Sequence, residues 1–481
     1  MHSQHFYISK KKLQNVINLY NIVQITKTKP LLKTTISSLF VFLTFAFFSQ
    51  TSIVKIEKQN NQWELLVDGA PYYIKGGGGT VKMEELKAAG GNTIRTWGLE
   101  NAQEILDKAH KLGLKVMLGF WVQHERHGFD YNDADKIKNQ LEGFRVAVRK
   151  YKNHPALLMW GVGNEYELEY SNTKVWAAVN DIAKMVHEED KNHPTSTVTA
   201  GTNAEKLNFV MTQLTEVDIY GINTYGDIEN VKSVLEKGKF EGPYMITEWG
   251  PNGHWESPKT KWGSSIEQTS TEKAAVYLSR YQRCIADQRK QCIGSFAFLW
   301  GQKQEYTSTW YGLFTENGKQ TEAIDELQYC WSGKYPENRS PKIEKLSYQS
   351  AGAKEAVEIK TVSFSAIFKA KEKIKVELVT SDLNKDKLIY TWDLYPESTD
   401  LKSGGDAENK PVAIPGKVKG DGATIVLKTP ITEGRYRLFV SVTDGNKVAY
   451  ANFPFYVEND PSAQGKTIGL KKQTLKSFDE E

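Results

Sequence analysis

The chain has 481 residues, and 62 Lys plus Arg stand against 58 Asp plus Glu, for a formal net charge of +4. That balance excludes an electrostatic nucleic-acid binder, and 40% hydrophobic with 25% charged residues excludes a disordered chain. The length exceeds one domain of about 100–200 residues, so two domains with terminal segments are expected.

Near the N-terminus, Lys27, Lys29 and Lys33 precede an apolar run at 36–48. The run is short of the ~20 residues a membrane span needs, and it fits the core of a secretory signal. Residues 1–52 are therefore expected to be leader and signal, with translation starting near Leu31. The mature protein would be secreted or periplasmic in a bacterium, with no stable membrane insertion after cleavage.

From there short apolar runs alternate with helical patterns. Candidate strands fall at 72–75, 93–97, 116–120, 157–162, 196–200, 217–222, 244–247 and 294–300. Amphipathic stretches at 102–112, 136–151, 174–187 and 271–289 lie between them. Eight strands alternating with helices predict a (β/α)8 TIM barrel, within a catalytic domain over 53–335. A doubly wound sheet is disfavoured, because Gly76–Gly79 is a plain glycine run without the G-x-G-x-x-G turn.

After Trp331 the texture changes. Gly333, Pro336, Arg339 and Pro341 make a polar linker. Alternating segments follow at 357–368, 374–379, 388–394, 424–427, 435–442 and 449–457, with a hairpin turn at Asp444 and Gly445. They predict a small immunoglobulin-like β-sandwich over 336–459 and then a polar tail over 460–481. Three cysteines, Cys284, Cys292 and Cys330, are too few for a disulfide scaffold and too scattered for a zinc site. They read as buried apolar side chains.

The active site of such a barrel lies where the strands end. The fourth candidate strand ends in Asn164 and Glu165, and the seventh in Glu248, Trp249 and Gly250. One glutamate at a barrel rim is commonly a surface ion-pair member. Two that follow apolar strands three βα units apart supply the acid and the nucleophile needed to break a glycosidic bond. Arg95 would hold Glu248 ionised, and the facing negative charge would raise the pKa of Glu165. Tyr225 offers a neutral donor to the same carboxylate, and Asn164 can reach a sugar 2-hydroxyl. His124 is a candidate sugar contact. Trp97, Trp121, Trp249, Trp255, Trp300 and Trp310 fall at or after strand ends, where sugar faces need a stacking surface. Trp160 and Trp176 read as core. No metal or cofactor is expected, because two carboxylates do the acid, base and nucleophile work between them. His187, beside Glu188 and Glu189, cannot converge with them on one ion, since adjacent helical residues diverge.

These motifs resemble clan A of the glycoside hydrolases across the whole barrel. Gly163-Asn164-Glu165 and Thr247-Glu248-Trp249-Gly250 carry the resemblance, together with 92–97, 153–155, 218–225 and 298–300. The resemblance implies that Glu165 is the acid/base and Glu248 the nucleophile of a retaining mechanism. It also implies that Arg95 and Tyr225 steady the nucleophile and that Trp300 floors the −1 sugar site.

Within the clan, a single C-terminal sandwich without large N-terminal ones is similar to family 158, the endo-β-1,3-glucanases. The implied activity is hydrolysis of laminarin-type β-glucans by a monomer whose partner is the β-glucan chain. Three alternatives stay open: a β-1,3-glucanosyltransferase, an exo-acting β-glycosidase whose loops close one end of the cleft, and a carbohydrate-binding protein that does not cut.

Overall fold

The computed structural model describes residues 51–459. The expected leader and signal up to residue 50, and the tail from residue 460, lie outside the described residues. A small antiparallel sheet comes first, made of β1 (Val54–Gln59), β2 (Gln62–Val67) and β3 (Ala70–Pro71). Eight parallel strands follow: β4 (Ile74–Gly78), β5 (Thr93–Arg95), β6 (Lys115–Phe120), β7 (Leu157–Val162), β8 (Thr195–Ala200), β9 (Ile219–Asn223), β10 (Tyr244–Trp249) and β11 (Cys292–Ala297). They close into a barrel with β11 beside β4. The helices are α1 (Met83–Ala88), α2 (Ala102–Leu112), α3 (Ala134–Tyr151), α4 (Lys174–Glu189), α5 (Ala204–Gln213), α6 (Ile228–Lys237), α7 (Ser270–Arg280) and α8 (Glu322–Ser332).

Local chemistry sets several of these boundaries. The Asp133 carboxylate accepts from the backbone N–H of Asp135 and Lys136 and starts α3. Thr269 and Glu272 form a capping box on α7. The helix expected over 271–289 ends early, at Arg280, and a π turn and a 3₁₀ turn carry the chain on to Gln288. The first barrel strand lies later than expected and runs through the glycine run. A Cβ on Gly76 would sit 2.3 Å from the Phe296 ring, and one on Gly77 would sit 2.8 Å from Trp300 Cβ. The glycines let β4 lie against the aromatic residues of the last strand and its turn.

The barrel is filled from its N-terminal end. Ile74, Met117, Leu158, Val198, Ile219, Met245 and Ile293 pack together inside, and Val54 and Leu65 of the first sheet join them. The sheet that sequence patterning passed over thus plugs the floor, leaving the C-terminal mouth for polar residues. A second apolar layer, including Leu106, Trp160, Trp176 and Leu235, lies between strands and helices.

The second domain begins with β12 (Gln320–Thr321), which leaves the barrel to pair with the sandwich. Then come β13 (Lys342–Ser350), β14 (Val357–Glu358), β15 (Ala366–Lys369), β16 (Lys373–Ser381), β17 (Ile389–Pro396), β18 (Val418–Lys419), β19 (Thr424–Lys428), β20 (Gly434–Thr443) and β21 (Lys447–Glu458). They form two sheets, one built on β12, β21, β20 and β17 with β15 beside β21, the other in the order β14-β13-β16-β19-β18. Alternating residues such as Ile374, Val376, Leu378, Ile425 and Leu427 face the core between the sheets. Strand β21 is buried on both faces over most of its length, which is why its sequence is nearly continuously apolar.

The two domains share a buried polar seam. Lys273 Nζ lies 2.6 Å from Glu267 Oε1 and donates to the carbonyls of Thr309 and Trp310. Asn452 of β21 donates to Glu267, Tyr450 Oη donates to the Thr309 carbonyl, and Arg437 donates to the Ser265 carbonyl. Lys447 pairs with Asp325 of α8. Ile266, from the barrel side, packs in the sandwich core.

Candidate active site

At the mouth of the barrel the strand ends converge on Glu165 and Glu248. Strand β10 carries one extra residue there. Ile246 is opposite Ile222 and Glu248 opposite Asn223, so Thr247 is a bulge. Ile246 lies in the outer apolar layer, and Thr247 and Glu248 both face the mouth. Trp249 is turned outward again, fully buried against Tyr277 and Tyr281.

The Glu248 carboxylate is held by three donors. Arg95 Nη1 is 3.1 Å and Trp97 Nε1 2.9 Å from Oε1, while Tyr225 Oη is 3.0 Å from Oε2. Arg95 is buried and also donates to the Thr247 carbonyl and, at 2.5 Å, to Asn164 Oδ1. Its guanidinium lies 5.2 Å from the Trp97 ring centroid. Trp97 is thus a hydrogen-bond donor to the carboxylate as well as an aromatic wall.

Glu165 follows Gly163 (φ 80°) and itself has φ 49°. Its carboxylate accepts from Asn223 Nδ2 at 2.8 Å. Burial pushes its pKa up to about 8, with the Glu248 charge adding to the rise. Asn223 also donates to Asn164 Oδ1 and accepts from Thr247 Oγ1, joining the two glutamates through one amide. Its role was not read from the sequence, although it sits two residues before Tyr225. With its oxygen used by Arg95 and Asn223, Asn164 keeps its amide N–H2 for the cleft.

Trp97, Trp121, Asn164, Tyr225 and both glutamates line one cavity of about 730 Å³. Arg95, which reaches Glu248 from behind, and Trp310 lie outside it, and so do three more expected contacts. Trp249 is one, and the bulge is the reason. Trp300 is another: it is buried against Phe314 and Trp331, its Nε1 donates to the Lys82 carbonyl, and Phe298 and Leu299 face the cavity instead. His124 is the third. It is buried behind Trp121, stacked at 4.6 Å, with His127 stacked on its other face at 5.3 Å. Burial, with Arg126 and His127 adding, lowers its pKa to about 4, and the neutral Nδ1 accepts from Arg126 Nε. It supports the Trp121 platform and does not touch the cavity.

Of the remaining tryptophans, Trp255 stands at the rim with 54% of its surface exposed, and Trp310 is buried. Lys303 and Glu305, paired at 2.7 Å, join the lining. So do residues 402–406 of the second domain. Three carboxylates that could together reach one cation, Asp382, Asp386 and Asp444, sit in the sandwich outside the cavity. His187 pairs with Asp218 at 2.8 Å.

A barrel mouth holding one carboxylate bound by three donors beside a second whose pKa burial raises is the arrangement that glycoside hydrolysis requires. Residues 82–333 match the model of the TIM barrel domain of glycosyl hydrolases family 2, and the chain belongs to that family. This overturns the expected membership of family 158, and with it the endo-β-1,3-glucanase activity. That expectation rested on which domains flank the barrel, whereas the family is carried by the barrel itself.

Among curated relatives, the chain is similar to a β-galactosidase of Thermoanaerobacter pseudethanolicus, 26% identical over 159 residues, 33% of this chain and 18% of that protein. It is also similar to a β-mannosidase of Mus musculus, 24% identical over 212 residues, 40% of this chain and 22% of that protein. The matches thus span about a fifth of those relatives. Among solved structures, a β-D-glucuronidase of Dictyoglomus thermophilum is 20% identical with a TM-score of 0.46, covering 59% of this chain and 54% of that one. A Bacteroides uniformis β-glucuronidase is 14% identical with a TM-score of 0.46, covering 85% and 49%.

Proposed function

We propose that this chain is an exo-acting β-glycosidase that removes terminal sugars from glycans or glycoconjugates with retention of configuration. The observation that carries it is the pairing of Glu248, held by Arg95, Trp97 and Tyr225, with the proton-retaining Glu165 in one cavity. In the first step Glu248 attacks the anomeric carbon while Glu165 gives its proton to the departing oxygen. In the second, Glu165 takes a proton from water, which displaces Glu248 from the anomeric carbon. Asn164 offers a donor to the sugar hydroxyl beside that carbon. Residues 402–406 of the second domain add a wall to the cavity, which supports a site for chain ends over chain interiors, and the names of the curated relatives support a galactoside or mannoside.

The test is a panel of aryl β-glycosides, starting with the galactoside and mannoside. The wild type should release the aryl group from one of them and give the β-anomer first. Glu248→Gln should lose about 10³-fold or more in kcat, and an activated 2-fluoro glycoside should label Glu248. Glu165→Ala should keep more activity on substrates whose leaving group needs no proton. Activity surviving Glu248→Gln would overturn the assignment. The lysine-flanked apolar run at 36–48 supports export of the enzyme, which N-terminal sequencing of the mature chain would test.

A further inference from the structure

The connection between β17 and β18, residues 397–417, contains no helix or strand. Loops of that length without secondary structure are uncommon in a compact fold and are usually either functional or linker segments. Its middle, residues 402–406, leaves the sandwich and lies in the wall of the catalytic cavity. It is fastened there at several points. The Asp406 carboxylate takes both terminal nitrogens of Arg126, at 2.8 and 3.3 Å, and His127 Nε2 at 3.1 Å. Lys303 Nζ donates to the Gly405 carbonyl at 2.9 Å. Glu408 closes the base of the loop, accepting from the backbone N–H of Lys402 and of Tyr306. Gly404, with φ 59°, is pressed so close that a Cβ would lie 2.7 Å from Arg126 Nη2 and 2.8 Å from Leu168. The loop is therefore held by the barrel connections after β6, β7 and β11 together.

We infer that residues 402–406 are the chain-end stop of this enzyme, and that Asp406 is the residue that positions them. The inference rests on the exo-glycosidase reading and names the element that enforces it. A glycan running through the cavity would meet this segment, so a terminal sugar is accepted and a continuing chain is refused. Asp406 acts through the loop: a bidentate guanidinium–carboxylate pair fixes orientation as well as distance, and a wall held in place offers its contacts at little ordering cost. The second domain thereby belongs to the substrate site.

The experiment compares wild type, Asp406→Ala, Asp406→Asn and Arg126→Ala on the best aryl glycoside and on oligosaccharides of the same terminal sugar. The wild type should release single sugars only. Asp406→Ala should raise KM about tenfold while kcat falls by less than about threefold, and should begin to yield products longer than one sugar. Asp406→Asn, which keeps an acceptor for Arg126, should restore part of the KM. Arg126→Ala, which removes the same pair from the barrel side, should repeat the effect. Melting temperatures within a few degrees of wild type separate this from unfolding. An unchanged KM and product pattern in both alanine variants would overturn the inference while leaving the exo reading intact. Internal cleavage by the wild type would overturn that reading itself, and the chain-end stop with it.

Discussion

Glu165 shows how one side chain couples chemistry to stability. In the proposed mechanism it carries the proton that the leaving group takes, and burial together with the Glu248 charge raises its pKa to about 8. Activity on substrates with basic leaving groups should fall as pH passes through about 8, and Glu165→Gln should abolish that limb of the profile. The sign for stability follows from the same shift. The folded protein binds this proton more tightly than the unfolded chain, whose value is near 4.5. Stability from this group is therefore greatest below about 4.5 and falls as pH rises toward 8. Glu165→Gln should thus stabilise the fold at pH 8 relative to pH 5, on the order of 3 kcal/mol, read from denaturant unfolding at the two values. A difference that does not change with pH would contradict this. At this scale Glu165, Glu248, Arg95, Asn164 and Tyr225 were legible, because their residue types match what the reaction demands. Asn223 was passed over, since a lone asparagine signals nothing until its neighbours in space are known.

Elements decide where those side chains aim. Strand β7 matches the expected 157–162 at both ends, yet its delivery of Glu165 depends on Gly163 at φ 80° immediately after it. A Cβ there would fall 2.6 Å from the Tyr166 ring, in a conformation that disfavours side chains. Gly163→Ala should cost about 1–3 kcal/mol in urea unfolding and lower kcat more than it raises KM, because Glu165 moves with the turn. Strand β10 teaches the complementary lesson. Strict alternation would give Glu248 and Trp249 opposite faces without saying which residue looks inward, and the bulge at Thr247 chooses Glu248. For the same kind of reason Phe298, and not Trp300, reaches the cavity: the strand ends at Ala297 and the following turn sets direction.

At the scale of the molecule, the barrel and sandwich behave as one body because their seam is charged, buried and paired. Lys273 sits in it against Glu267, with Asn452 of the sandwich on the same carboxylate. Lys273→Met should cost about 3 kcal/mol or more in equilibrium unfolding, since it strands a buried carboxylate. A single cooperative transition retained by the variant would show that both domains still unfold together, and two separated transitions would place the loss at the seam. The order of residues along the chain carries the eightfold alternation, the two glutamates and most of their immediate partners. These follow from local period and from the chemistry the residues can do. It also determined a β-rich second domain, through turn residues and strand-period patterning. Tertiary structure alone decided that Trp249, Trp300 and His124 stand behind the cavity and that residues 402–406 wall it. Those outcomes depend on a one-residue bulge and on contacts between segments hundreds of residues apart, and neither leaves a periodic trace in the chain.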